Sequence, residues 1–186
     1  MRLFVAINLP PEVRQDLWEA AEPLRSGGYP IRWVGPEGIH LTLKFLGDVD
    51  AEREPEITAA LDGATQGTRR FMLPIGGFGA FPSAGHPRVV WAGCEGVPPL
   101  ELLQHRLEQE MERVGFALEG RPFHPHLTLG RVKRHARQGE LRDFGAVLEP
   151  LTHANEVEVR SVDLMQSNLS REGASYTVRH EAELES

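Results

Sequence analysis

His40-Leu41-Thr42-Leu43 recurs, residue for residue, as His126-Leu127-Thr128-Leu129, 86 positions further along the chain. With 8 histidines and 7 threonines among 186 residues, a random arrangement would give about 0.3 His-x-Thr triplets. Two copies set in identical leucines therefore point to an internal repeat. Both stretches read as strands, and the two-residue period of a strand sends His and Thr to one face and both leucines to the other. Two equivalent strands could share the leucines simply because they share a packing problem. The polar face is not explained that way, since an imidazole and a hydroxyl turned toward an apolar layer need partners. If equivalent strands meet about a pseudo-twofold axis, the two polar pairs open onto one cleft.

Working outward from the repeat, residues 2 to 9 form a β-prone apolar run ended by Pro10-Pro11. Residues 11 to 25 then carry Val13, Leu17, Ala20 and Leu24 at helical spacing. The pattern predicts a short strand at 31–34, a strand at 39–46, a more polar helix at 51–66, and strands near 71–77 and 88–93. Between those last two, Gly76 to Gly85 is rich in Gly and Pro and reads as a loop or a strongly kinked strand. Leu100, Leu103, Leu107, Met111 and Val114 mark the clearest amphipathic helix, 98–115, closed by Gly115. Strands follow at 127–133, 156–165 and 175–182, with a charged connection at 134–145. Elements that interleave this way, with hairpin-like strands toward the C-terminus, predict an α+β fold rather than a doubly wound parallel sheet. No linker separates independent domains, so residues 1–186 are expected to form one domain.

Composition narrows the chemistry. The chain carries 27 acidic against 20 basic residues, a formal net charge of −7. Long-range steering by an acidic chain repels a polyanion, so a nucleic acid would have to be held in a local basic cleft. Eighteen of the basic residues are arginines, which fits either genome composition or phosphate recognition. One cysteine, Cys94, excludes a disulfide framework and cysteine-rich metal sites, and is expected to be buried and inert. No apolar run approaches the roughly 20 residues of a membrane span, and the opening stretch is too short for a signal peptide, so the expectation is a cytoplasmic protein away from membranes.

Two histidines and two threonines suit phosphate chemistry. Imidazole titrates near neutrality, so one histidine can act as general base while the other acts as general acid, on either side of a phosphorus centre. The threonine hydroxyls can donate to the non-bridging oxygens that gain charge. A strained 2′,3′-cyclic phosphate would not require a metal. His124-Pro125-His126 together with His40 would assemble three imidazoles, but no carboxylate is fixed nearby in sequence, and no metal or other cofactor is expected. Lys44 shares the parity of His40 and Thr42 and is a candidate phosphate ligand; a solvated strand-edge lysine is the alternative. Phe45, Phe81, Trp91 and Phe123 are available either to stack a terminal base or to fill the core.

On these residues the sequence resembles the two-histidine phosphoesterase superfamily. In particular it resembles the bacterial and archaeal RNA 2′,3′-cyclic phosphodiesterases, historically called 2′-5′ RNA ligases. The resemblance covers Arg2 to Ile7, Trp33-Val34, His40 to Gly47, Phe78 to Pro82, Pro87 to Trp91 and His124 to Arg131, and a tail with Ser167, Leu169, Gly173 and Tyr176. It implies a bilobal α+β fold of two pseudo-symmetric lobes, each with an antiparallel sheet and helices, and the site in the cleft between them. It also implies His40 as proton donor to the leaving 3′ oxygen, His126 as the base that activates water, and Thr42 and Thr128 as phosphate holders. Arg131 is implied as a further phosphate contact. Strand parity opposes that role unless Gly130 permits a bulge or the strand ends there. The implied substrates are RNA with 2′,3′-cyclic phosphate ends or small cyclic nucleotides, taken by a monomer without an obligate protein partner. The alternatives are a ligase joining such ends to 5′-hydroxyls, and a non-catalytic RNA-end binding module.

Overall fold

In the computed structural model, which describes Met1–Ser186, the apolar opening run becomes β1 (Arg2–Asn8), buried from Leu3 to Ile7. Pro10-Pro11 ends it. Pro11 then occupies the first turn of α1 (Pro11–Ala20), where its missing N–H costs nothing. A break at Ala21 gives the short α2 (Glu22–Arg25), and β2 (Ile31–Trp33) and β3 (His40–Asp48) follow. Next come α3 (Glu54–Thr65), β4 (Phe71–Pro82), β5 (Pro87–Cys94), α4 (Pro98–Arg113) and β6 (His126–Val132). The chain finishes with α5 (Phe144–Leu148), β7 (Ala154–Val159), β8 (Ser161–Ser170) and β9 (Gly173–Glu183). No helix is long and apolar enough to cross a membrane.

All nine strands join one antiparallel sheet in the order β7-β4-β5-β6-β3-β1-β8-β9, with β2 added to the edge of β6. The two copies of the repeat therefore lie side by side at the centre, and the lobes are the two halves of a single sheet. Strands β3 and β6 themselves pair at one position, Leu41 opposite Leu127. From Gly130 onward β6 pairs with β2 instead, so β3 and β6 part. Behind the sheet, Ile57 and Leu61 of α3 and Leu100, Leu103, Leu107 and Met111 of α4 pack on Leu41, Leu43, Leu127 and Leu129. That burial, at about 25 cal/mol per Å² of apolar surface, anchors the leucine face of both repeats and commits the other face to solvent. A smaller cluster of Leu24, Ile31, Val90, Leu141, Phe144 and Leu148 backs the β2–β6 half.

Besides the break at Ala21 in the helix expected over 11–25, three segments differ from the sequence expectation. Gly76 to Gly85 is mostly strand: β4 runs through to Pro82, and the register shift between Ile75 and Phe78 is the kink that the glycines accommodate. The run at 156–165 is two strands, because at Arg160 the chain leaves β4, the partner of β7, and crosses to β1, the partner of β8. The connection at 134–145 contains a helical turn at Gln138–Leu141 and runs into α5.

Candidate active site

Because Leu41 and Leu127 are fully buried opposite one another, the residues flanking them project from the opposite face. In this antiparallel register His40 stands across from Thr128, and Thr42 across from His126. The two histidines are diagonal neighbours, about 7–8 Å apart in a regular ladder and farther where strands diverge. All four are half-buried, in contrast to the leucines between them. The structure thus brings His40, His126, Thr42 and Thr128 onto one face of the sheet.

Each imidazole is held the same way. Nδ1 of His40 lies 2.8 Å from the carbonyl oxygen of Gly38, and Nδ1 of His126 lies 2.8 Å from that of His124. A carbonyl only accepts, so Nδ1 carries the proton and Nε2 is left for a ligand or a proton transfer. His124 contributes this backbone oxygen. The surroundings differ. His40 packs against Phe4 and edge-on against Tyr176, with ring centroids 4.9 and 5.1 Å away, and its Nε2 lies 3.1 Å from the Thr42 hydroxyl. His126 meets one ring, Phe81, edge-on at 5.1 Å. Burial lowers the pKa of His40, the Gly38 hydrogen bond opposes that shift, and the positive charge of Arg131 lowers it further.

That last effect locates Arg131. Along β6, Trp91 pairs with Thr128 and Val90 with Gly130, so Leu129 is an extra residue, a β-bulge. Leu129 and Gly130 both face the core, and Arg131 returns to the His126 face, exposed. The parity objection to Arg131 is removed by a bulge one residue earlier than Gly130. Gly130 itself serves the packing of β2, since a Cβ there would run into Ile31 and Trp33.

The same bulge corrects the reading of Lys44. On β3, Ala6 pairs with Thr42 and Val5 with Lys44, which makes Leu43 the extra residue. Parity flips, and Lys44 points into the core instead of the phosphate face, only 7% exposed. Its Nζ donates to Glu108 Oε2 at 2.7 Å and to the Ala117 carbonyl at 2.9 Å. Glu108 also accepts from the Glu119 backbone N–H and from Gln104 Nε2, and Gln104 reaches the carbonyl of the bulged Leu43. The network ties the bulge of β3 to α4 and to the segment that leads into His126. Phe45 takes the position that parity assigns to Lys44, on the His40 face and 66% exposed.

Of the other aromatics, Phe81 packs on Trp91 at 5.2 Å as well as on His126, and Phe123 lies against the main core. Burial pushes the Cys94 thiol up to about 12, which leaves it unreactive near neutral pH. Sequence parity does not single out Tyr176 beside His40 or Arg32 beside Arg131, because their proximity depends on the pairing of β9 with β8 and of β2 with β6.

The family model for LigT-like phosphoesterases matches residues 7–91 and 95–176. The chain is similar to the RNA 2′,3′-cyclic phosphodiesterase of Thermotoga maritima, 35% identical over 100% of this chain and 96% of the relative. It is similar also to the protein of that name from Methanothermobacter thermautotrophicus, 33% identical over 95% of each. Among solved structures, a protein of Thermus thermophilus superposes with a TM-score of 0.84 at 32% identity, covering 99% of this chain and 98% of the other. E. coli LigT complexed with 3′-AMP superposes with a TM-score of 0.76 at 30% identity, covering 98% and 97%.

Proposed function

The chain belongs to the LigT-like phosphoesterase family, and from that premise we propose that it hydrolyses RNA 2′,3′-cyclic phosphate ends to 2′-phosphomonoesters by paired-histidine acid–base catalysis without a metal. The observation that carries this reading is the matched pair of imidazoles, each with Nδ1 on the carbonyl two residues back and Nε2 on a common face. His126, on the more open side, strips a proton from water. His40, enclosed by Phe4 and Tyr176, gives its proton to the departing 3′ oxygen. A lowered pKa makes His40, once protonated, a stronger acid than an ordinary imidazole. Thr42 and Thr128 receive the oxygens of the cyclic phosphate, Arg131 offers its charge to the RNA phosphate just beyond them, and Phe45 is the exposed ring for the terminal base.

The four side chains of the repeat supply both proton transfers and the anion contacts, so the reading assigns no step to a cofactor. On this reading the protein works as a monomer, a single bilobal unit in the cytoplasm. The test is incubation with RNA ending in a 2′,3′-cyclic phosphate, with EDTA present. A 2′-phosphate end should accumulate. A 3′-phosphate product, loss of activity to the chelator, or an active His40→Ala/His126→Ala double variant would each reject the mechanism.

A further inference from the structure

Arg32 lies directly opposite Arg131 in the β2–β6 ladder. Directly opposed residues share a face. Their neighbours agree, since Ile31 and Trp33 turn to the core side and crowd Gly130. Two guanidinium groups therefore stand side by side on the face that carries His126 and Thr128. Like charges placed opposite each other destabilise a sheet. Neither Arg32 nor Arg131 is paired with a carboxylate that would offset this repulsion, as is true of most arginines of the chain. Both are exposed, so neither is spent on filling the core.

We propose that Arg32 and Arg131 together hold the phosphodiester that precedes the terminal nucleotide, so that this site selects an oligoribonucleotide over a mononucleotide. The proposal rests on the cyclic-phosphate reading above and extends it along the strand. Arg131 lies three residues beyond Thr128, a distance of roughly 10 Å or less at about 3.3 Å per residue. A polymer leaving the four-residue site along β6 meets the guanidinium pair next. Two planar forks can present parallel N–H groups to the non-bridging oxygens of one phosphate, and that anion relieves their mutual repulsion. The charge of Arg131 is also felt at His40, so Arg131 looks into the same space as the imidazoles.

The experiment compares a nucleoside 2′,3′-cyclic phosphate with a trinucleotide ending in the same group, for the wild type, Arg32→Ala and Arg32→Lys. The wild type should show a lower KM for the trinucleotide. Arg32→Ala should cut that advantage about tenfold, the effect of losing one charge-assisted hydrogen bond. It should also flatten the salt dependence of the trinucleotide KM by about 0.7 in log–log slope. Arg32→Lys should keep the slope and lose part of the advantage. A trinucleotide advantage that survives in Arg32→Ala, or an equal KM rise on both substrates, overturns the proposal. A wild type that cleaves both substrates with one KM overturns it too while leaving the phosphodiesterase reading intact. A wild type that cleaves neither rejects that reading and this inference with it.

Discussion

β3 from His40 to Phe45 and β6 from His126 to Arg131 follow one plan. Each opens with an imidazole anchored on a carbonyl two residues back, continues with a buried leucine and a threonine, and bulges at the second leucine. After the bulge they diverge. Lys44 runs inward to a buried carboxylate where Gly130 makes room for Trp33, and Phe45 projects an aromatic ring where Arg131 projects a charge. In the proposed mechanism the shared part supplies the chemistry of a proton relay. On the same proposal the divergent part gives each half a different duty, one stacking surface and one anion grip.

The comparison can be broken at the histidines first. His40→Ala and His126→Ala should each lower kcat by about 10²–10⁴, and the double variant should lose little more than the worse single, because the two act as a unit. A phosphodiester with p-nitrophenolate as leaving group sharpens the contrast. That group departs without a proton, so His40→Ala should be far less damaged on it than His126→Ala; equal damage would refute the assigned polarity.

The positions after the bulge come next. Lys44→Met leaves Glu108 buried and uncompensated, which should cost about 3–5 kcal/mol of folding stability in a denaturant titration. The counterpart, Gly130→Ala, forces a methyl against Trp33 and Ile31 and should cost about 1–3 kcal/mol. A Lys44→Met variant as stable as the wild type would mean that the ion pair does not hold the bulge.

The smallest effect is electrostatic. Followed by NMR, His40 should titrate below the ordinary histidine range. Arg131→Ala should raise its pKa, because the guanidinium is one cause of the depression, yet leave it depressed, because burial is the larger cause. A His40 that titrates at or above the usual value would remove the basis for calling it the stronger acid.

The repeat and its faces were legible because a two-residue period needs only local sequence. The polarity of Leu41 and Leu127 against His40 and His126 follows from it, and burial agrees. The bulges were not legible. Nothing in Leu43 or Leu129 announces an extra residue, which exists only relative to β1 and β5. From that one hidden feature came both difficulties, Lys44 read as facing the phosphate and Arg131 read as facing away. Arg32 escaped for a related reason, since a three-residue strand has no period to read and its partner lies about a hundred positions away.

The route of the backbone through the sheet has a mechanical consequence. Beginning in the half that holds β1, the chain visits the other half for β2, returns for β3, leaves again for β4 to β7, and comes back for β8 and β9. Covalent stitches thus lace the two sides four times across a seam that has a single ladder rung. The lengths of those stitches limit how far the two halves can part. An insertion in the six residues between Trp33 and His40 would loosen one of them directly.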